Sequence, residues 1–139
     1  MSLSEDLGEQ NKTVDELLLE GRQKAMQMNY GDALQCFNEV LKIDPNNLRA
    51  LNNRGNIYHT MGNDNGALRD FEKALEVDPT FIEAEYGKGL VYISLNRREE
   101  AIASFERYVA NAPPDEQQQV QYAQQFLMEL KGQNQSTNP

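Results

Sequence analysis

The feature that most constrains this chain is one sequence segment that occurs three times at a constant spacing. Residues 33–45 read ALQCFNEVLKIDP, residues 67–79 read ALRDFEKALEVDP, and residues 101–113 read AIASFERYVANAP. This spacing predicts a repeat protein, because each unit buries its apolar face by stacking on the next unit. Four residue types hold one register in all three copies: Gly21, Gly55 and Gly89; Ala33, Ala67 and Ala101; Phe37, Phe71 and Phe105; Pro45, Pro79 and Pro113.

Within each copy the apolar residues follow helical spacing, which predicts a pair of helices. The small residues Gly55 and Ala67 leave room for Phe71 where the two helices cross. The turn between them is predicted at residues 61–64, which contain a glycine. Pro79 ends the second helix, because proline disfavours helical geometry in the residue before it. The two helix faces in the second copy are Leu51, Gly55, Tyr58 and Met61, and Ala67, Leu68, Phe71, Ala74 and Leu75.

One more amphipathic helix is predicted at residues 115–131, with Asp115 as its N-cap and Gly132 as its stop. This helix either covers the exposed end of the third repeat, which we favour, or binds a partner. Residues 1–12 and 132–139 are polar and unpatterned, and we expect them to form disordered tails. The apolar face of the helix carries Val120, Ala123, Phe126, Leu127 and Leu130.

These repeats resemble the tetratricopeptide repeat (TPR) family, whose unit of about 34 residues is an antiparallel helix pair. The resemblance rests on the four repeated columns and covers residues 14 to about 113. It implies an all-α domain over residues 13–131, with three helix-turn-helix units stacked in a right-handed superhelix and the C-terminal helix as a cap. The expected units are 14–47, 48–81 and 82–114.

Two departures from the family pattern affect local packing. Glu85 stands where the first two copies have Leu17 and Leu51, and Lys24 stands where the later copies have Tyr58 and Tyr92. Such departures fall in the first and last units. They are tolerable there, because terminal helices contact only one neighbour.

The resemblance also implies a concave groove, lined by the first helix of each unit, that holds a peptide. Asparagine side chains in its middle can pair with a peptide backbone without reading its sequence. Apolar pockets at both ends would select side chains. The alternative is that the asparagines are merely solvated and that Leu18 or Leu90 packs within the stack. The predicted groove residues are Leu18, Arg22, Met26, Arg49, Asn52, Asn53, Asn56, His59, Tyr86, Leu90 and Ile93.

One TPR subclass clamps the C-terminal carboxylate of the large heat-shock chaperones with lysine, asparagine and arginine. Of the matching positions here, only Asn53 agrees, and Glu83 places a negative charge where the carboxylate would bind. We therefore expect this chain not to be a carboxylate-clamp adaptor. The positions that disagree are Leu18, Arg22, Glu83 and Gly87.

Composition argues against several other partner classes. The 13 basic residues are scattered among 22 acidic ones and the net charge is −9, whereas nucleic-acid binding needs clustered cations. No window approaches the roughly 18 apolar residues of a membrane helix. Residues 1–12 lack the pattern of a secretory signal, and a single cysteine, Cys36, leaves no intrachain disulfide. These features favour a cytoplasmic location.

Catalytic chemistry is not indicated. The single histidine, His59, and Cys36 fall on different helices, and the chain has no HExxH motif, phosphate-binding glycine loop or His/Cys cluster. We therefore expect no enzyme activity, cofactor or metal. His59 is expected to form a hydrogen bond in the groove wall and not to act as a pH switch.

The function predicted from the sequence is a non-catalytic protein–protein interaction module, an adaptor or scaffold that binds a peptide or helix of another protein in the concave groove. Two alternatives stay open. One is a self-associating structural repeat protein, a homo-oligomer. The other is the targeting subunit of a larger enzyme or secretion complex.

Overall fold

The computed structural model describes residues 12–136, with side chains described for residues 12–132. Within this range the chain forms three helix pairs and a last single helix, without a strand, so the all-α prediction is confirmed. The predicted N-terminal tail lies outside the described residues except for Lys12. The helices are α1 (Val14–Met26), α2 (Tyr30–Ile43), α3 (Leu48–Thr60), α4 (Asp64–Val77), α5 (Glu83–Ser94), α6 (Arg98–Asn111) and α7 (Gln117–Ser136).

The first helix of each pair crosses the second at a glycine. A Cβ atom on Gly21 would lie 2.8 Å from the Phe37 ring, and a Cβ atom on Gly55 would lie 2.8 Å from the Phe71 ring. Both distances are shorter than a normal contact. The glycines therefore let a phenylalanine pack directly against the helix backbone, as the repeated columns predict.

A second glycine allows close packing between neighbouring repeats. A Cβ atom on Gly87, in α5, would lie 2.5 Å from the ring of Phe71 in α4. Gly87 is buried, so it lies at the contact between the second and third repeats and not on an open surface.

The turns inside the three helix pairs share one backbone conformation. Met28, Gly62 and Asn96, which occupy the same position in the three repeats, have φ values of 62°, 86° and 58°. In each turn the next residue donates its N–H to a main-chain carbonyl in the last turn of the preceding helix, at 2.7 to 2.8 Å. This geometry closes a helix C-terminus in the Schellman motif, which normally favours glycine. The three turns therefore repeat the same backbone conformation, although only the second copy has glycine at this position.

The helix α7 closes the end of the stack. Ala123 and Leu130 are buried, and the Phe126 ring stacks on Phe105 with centroids 5.2 Å apart. The hydroxyl of the buried Tyr108 shares its one proton between Glu116, just before the helix, and Gln119 in its first turn. The predicted apolar face of α7 is therefore packed against α6.

The bounds of α7 differ from the sequence prediction. The helix begins at Gln117 instead of directly after Asp115, and it continues to Ser136, past the expected stop at Gly132. Glycine typically ends a helix when its backbone adopts the left-handed conformation at the helix C-terminus. Gly132 has open space around it and does not adopt a positive φ.

The departure at Glu85 is accommodated by an ion pair. Its carboxylate accepts a hydrogen bond from Arg107 Nε at 3.1 Å, although the residue is buried. A carboxylate stands here in place of the leucine of the earlier copies because Arg107 in α6 pairs with Oε1, whereas Oε2 is buried without a partner among the described residues.

Candidate functional site

A groove lies between α1 and α3, with a cavity volume of about 420 Å³. Four of the predicted groove residues meet there: Arg22 and Met26 from α1, and Asn53 and Asn56 from α3. The complete lining is Arg22, Ala25, Met26, Tyr30, Phe37, Asn53, Asn56, Ile57 and Thr60.

Helical spacing explains why these residues share a surface. Residues 22, 25 and 26 form one stripe along the last turns of α1, and residues 53, 56, 57 and 60 form one stripe along α3. Residues three and four positions apart lie on the same helix face. The stacking of the first two repeats sets these two stripes opposite each other.

The floor of the groove is apolar and its walls are polar. Phe37 and Ile57 are buried at the floor, with 0% and 4% of their surface exposed. Within the described part of the chain, the side chains of Arg22, Asn53 and Asn56 form no hydrogen bond or ion pair. The surface therefore combines a place for an apolar side chain with one cation and two amides that have no partner among residues 12–132.

Two other polar groups near this surface are already paired. The Thr60 hydroxyl donates a hydrogen bond to the main-chain carbonyl oxygen of Asn56 at 3.0 Å. His59 Nδ1 lies 2.9 Å from Asp64 Oδ1. Since a carboxylate can only accept, Nδ1 carries the proton and donates. His59 therefore ties the end of α3 to the start of α4, and it does not line the α1–α3 groove.

Leu18 does not form a groove pocket. It is buried in the first core cluster, together with residues such as Phe37 and Ala50. Leu17 and Leu18 are both buried, because the apolar stripe of α1 is wide enough to cover two adjacent positions. The alternative left open by the sequence, packing within the stack, is therefore the one that holds for Leu18.

The predicted residues of the third repeat also lie outside this groove. The Tyr86 ring packs against Phe105 and Tyr108, with centroids 5.8 and 5.2 Å apart. Its burial raises the pKa of the phenol. Leu90 is half-buried against the larger core cluster, and Ile93 is exposed.

The remaining predicted residues, Arg49 and Asn52, belong to α3 but not to the lining of the groove. Arg49 is exposed. The Asn52 side-chain oxygen is buried without a hydrogen-bond donor among the described residues.

Sequence reasoning missed Tyr30, Phe37 and Ile57 as groove residues. The family pattern assigns the groove to the first helix of each unit, whereas Tyr30 and Phe37 belong to α2. The repeated columns identify Phe37 only as a core residue. The Phe37 ring packs at the crossing of α1 and α2, and it also forms part of the floor of the neighbouring α1–α3 groove.

The described residues offer little for catalysis or metal binding. Cys36 is buried, and this burial raises the pKa of its thiol, so the reactive thiolate is disfavoured. Among residues 12–132, no group of three or more His, Cys, Asp or Glu side chains is arranged to hold a metal ion. None of the described helices has the length and apolar character needed to cross a membrane.

Comparison with known families agrees with the geometry. Profiles described as tetratricopeptide repeat or TPR repeat match residues 27–62, 48–81 and 82–115. Together the matches run without a gap from residue 27 to residue 115. The chain belongs to the tetratricopeptide repeat family.

Several solved structures are similar to this chain. The type III secretion translocator chaperone SycD of Yersinia enterocolitica has a TM-score of 0.83 and 14% identity, covering 88% of this chain and 86% of that one. PcrH of Pseudomonas aeruginosa, in complex with the chaperone binding region of PopD, has a TM-score of 0.79 and 19% identity, covering 95% and 96%.

The first TPR domain of Spaghetti (RPAP3), bound to the HSP90 peptide SRMEEVD, has a TM-score of 0.76 and 22% identity, covering 86% of this chain and 90% of that one. At these identities the likeness shows the superhelical fold alone. No curated protein matches the chain significantly.

Proposed function

We propose that residues 13–131 form a non-catalytic protein-interaction module that holds a segment of a partner protein in the α1–α3 groove. The observation that carries this proposal is the groove itself, where an apolar floor lies beside side chains with no partner in the described chain. A ligand that covers these amides and the cation binds more favourably when it supplies their missing hydrogen-bond or ion-pair partners.

The expected affinity follows from the lining. A ligand side chain that reaches Phe37 and Ile57 gains about 1.5 to 3 kcal/mol from burial. Each hydrogen bond from Asn53 or Asn56 to a peptide backbone adds about 0.5 to 1.5 kcal/mol. With further contacts along the helices, these terms suit a dissociation constant around micromolar, which corresponds to about −8 kcal/mol.

Similar structures support an interaction role and leave the partner open. PcrH is seen with a region of PopD, and the RPAP3 domain with an HSP90 peptide. We expect a different ligand class from a free C-terminal carboxylate. Leu18 is buried, Gly87 lies under Phe71, and Glu83 is exposed and acidic, so three clamp positions have no donor.

The test is a selection from a random peptide library on the immobilised full chain. Selected peptides are then measured against Asn53→Ala/Asn56→Ala, which removes both groove amides. The matched control is Asn46→Ala/Asn65→Ala, which removes two exposed asparagines outside the groove. We expect the groove variant to bind at least fivefold more weakly, because two hydrogen bonds of about 0.5 kcal/mol each are the minimum lost.

Two results would contradict this proposal. Equal binding by the groove and control variants would place the contact elsewhere. A library that selects no peptide, together with a mass that rises with concentration in sedimentation equilibrium, would favour self-association instead. Circular dichroism of both variants checks that each is folded.

A further inference from the structure

A second cavity lies on the other side of α3 and shares no residue with the α1–α3 groove. It has a volume of about 310 Å³ and occupies the crevice between α2 and α4, with α3 at its base. We refer to it as the α2–α4 crevice. Its apolar wall is formed by Leu41, Pro45 and Leu51.

One arginine organises this crevice. Arg54 donates from Nε and Nη2 to the two carboxylate oxygens of Asp70, at 2.8 and 2.7 Å, and from Nη1 to Asn38 at 2.9 Å. Asp70 is only 5% exposed. The guanidinium therefore ties α2, α3 and α4 together, and its charge compensates the buried carboxylate.

Two further cations line the crevice and are not used by the fold. Arg69 and Lys73 lie one turn apart on α4, both are exposed, and neither forms an ion pair or hydrogen bond with a described residue. Arg54 already pairs with Asp70, so Arg69 and Lys73 are the lining cations that have no ion-pair partner among residues 12–132. The crevice is thus locally positive in a chain whose net charge is −9.

The charged residues of this crevice are not a repeated set. In the third copy, the positions of Arg54, Asp70 and Arg69 are occupied by Lys88, Ser104 and Ala103. The position of Lys73 is Arg107, which pairs with Glu85. In the first copy, the positions of Arg69 and Lys73 are Gln35 and Glu39. Since neither of the other units has two cations at the positions of Arg69 and Lys73, this pair points to a role beyond folding.

We propose that the α2–α4 crevice is a second binding site, for an acidic segment of a partner protein that carries an aliphatic side chain between carboxylates. The aliphatic side chain packs against Leu41, Pro45 and Leu51. The flanking carboxylates pair with Arg69 and Lys73. A phosphate backbone would pair with the same cations but would leave the apolar wall unfilled.

The probe is the blocked peptide acetyl-Asp-Glu-Leu-Glu-Asp-amide, titrated into the full ¹⁵N-labelled chain and followed by NMR. We expect the largest shifts at the backbone amides of Leu41, Arg69 and Lys73. Replacing the central leucine of the peptide by serine should weaken binding at least threefold. Inorganic tripolyphosphate, which offers charge without a side chain, should bind at least tenfold more weakly than the peptide.

Matched variants separate a site from a general charge effect. Arg69→Glu/Lys73→Glu should weaken peptide binding at least tenfold. Arg97→Glu/Lys131→Glu makes the same change in net charge at exposed positions outside α4 and should leave binding within twofold. Arg69→Gln/Lys73→Gln should also weaken peptide binding. This variant replaces the double charge reversal if that protein does not fold.

Several outcomes would overturn the proposal. Equal losses in both charge-reversal variants, or equal binding of peptide and tripolyphosphate, would show that charge alone attracts the ligand. Shifts centred on Arg22 and Asn56 would place the peptide in the α1–α3 groove. Shifts that appear on concentrating the chain without peptide would show that a second copy fills the crevice.

Discussion

At the first end of the stack, α1 and α3 leave a groove open between them, whereas at the last end α5, α6 and α7 bring aromatic rings into contact. The open end exposes Arg22 and Asn56 beside a floor formed by Phe37. At the closed end, the rings of Tyr86 and Phe126 both pack on the Phe105 ring. The same repeat therefore leaves a groove open at one end of the stack and closes the core at the other.

Residues in one register show how this difference arises. Leu18, Asn52 and Tyr86 occupy equivalent positions in the three repeats. Leu18 is in the core, Asn52 is half-buried on α3, and Tyr86 packs on Phe105 and Tyr108. The register sets the direction of a side chain, but the neighbouring helix and the residue type decide whether it is buried in a core or stays exposed.

The largest expected effect comes from removing the ring at the closed end. Phe105→Ala should lower the free energy of unfolding by about 3 to 5 kcal/mol, because the ring is fully buried between two other rings. The loss for Phe37→Ala should be smaller than the loss for Phe105→Ala by about 1 kcal/mol or more. Phe37 borders an open groove, so water can fill the cavity that the substitution leaves. Urea denaturation of both variants gives the comparison, and equal losses would contradict it.

A smaller effect is expected at the contact between the second and third repeats. Gly87→Ala should cost about 1 to 3 kcal/mol, because the new methyl group would overlap the Phe71 ring at 2.5 Å. Gly31→Ala is the matched control, since nothing lies within 4 Å of its added Cβ atom. It should be neutral or stabilise the chain by up to about 1 kcal/mol. Thermal unfolding of the pair would show whether the repeats depend on this glycine.

Tyr108→Phe tests how firmly α7 is held. It removes the hydroxyl that donates to Glu116 and Gln119, and should cost about 1.5 kcal/mol. Tyr122→Phe, at an exposed position of α7, should cost less than about 0.5 kcal/mol. Denaturant midpoints of the two variants give the comparison.

The same tyrosine predicts a pH dependence. Burial, followed by the hydrogen bond to Glu116, raises the pKa of Tyr108 in the folded chain. The folded state therefore favours the neutral phenol, so its contribution is complete below the unfolded pKa of about 10 and is lost as pH rises above it. We expect stability to fall less steeply above pH 10 in Tyr108→Phe than in the wild type. Parallel slopes would contradict this.

The smallest expected effect is at the turn of the open end. Met28 holds a φ of 62° that glycine adopts without strain, so Met28→Gly should stabilise the chain by up to about 1 kcal/mol. Gly62→Ala, at the equivalent turn of the second copy, should destabilise it by a similar amount. Chemical denaturation measures both, and a loss of stability in Met28→Gly would contradict the turn geometry.

Much of the fold could be predicted because the repeat constrains it three times. The helix pairs, the turns and the crossing of Gly55 with Phe71 all follow from the constant repeat spacing combined with helical periodicity. The groove was predicted in part. Arg22, Met26, Asn53 and Asn56 meet as expected. The α2–α4 crevice was not foreseen, because its residues come from three helices and a loop, and the positions of Arg69 and Lys73 are not cations in the first copy.

The sequence by itself determined the all-α repeat fold and the faces of its helices, because steric and apolar demands recur at every unit and are local to one helix pair. Only the tertiary structure decided which of those faces stay open. Leu18 entered the core, Tyr86 joined an aromatic cluster, and Arg54 was paired with Asp70 and Asn38. Each outcome depends on what a distant segment places opposite the side chain, and helical periodicity carries no information about that neighbour.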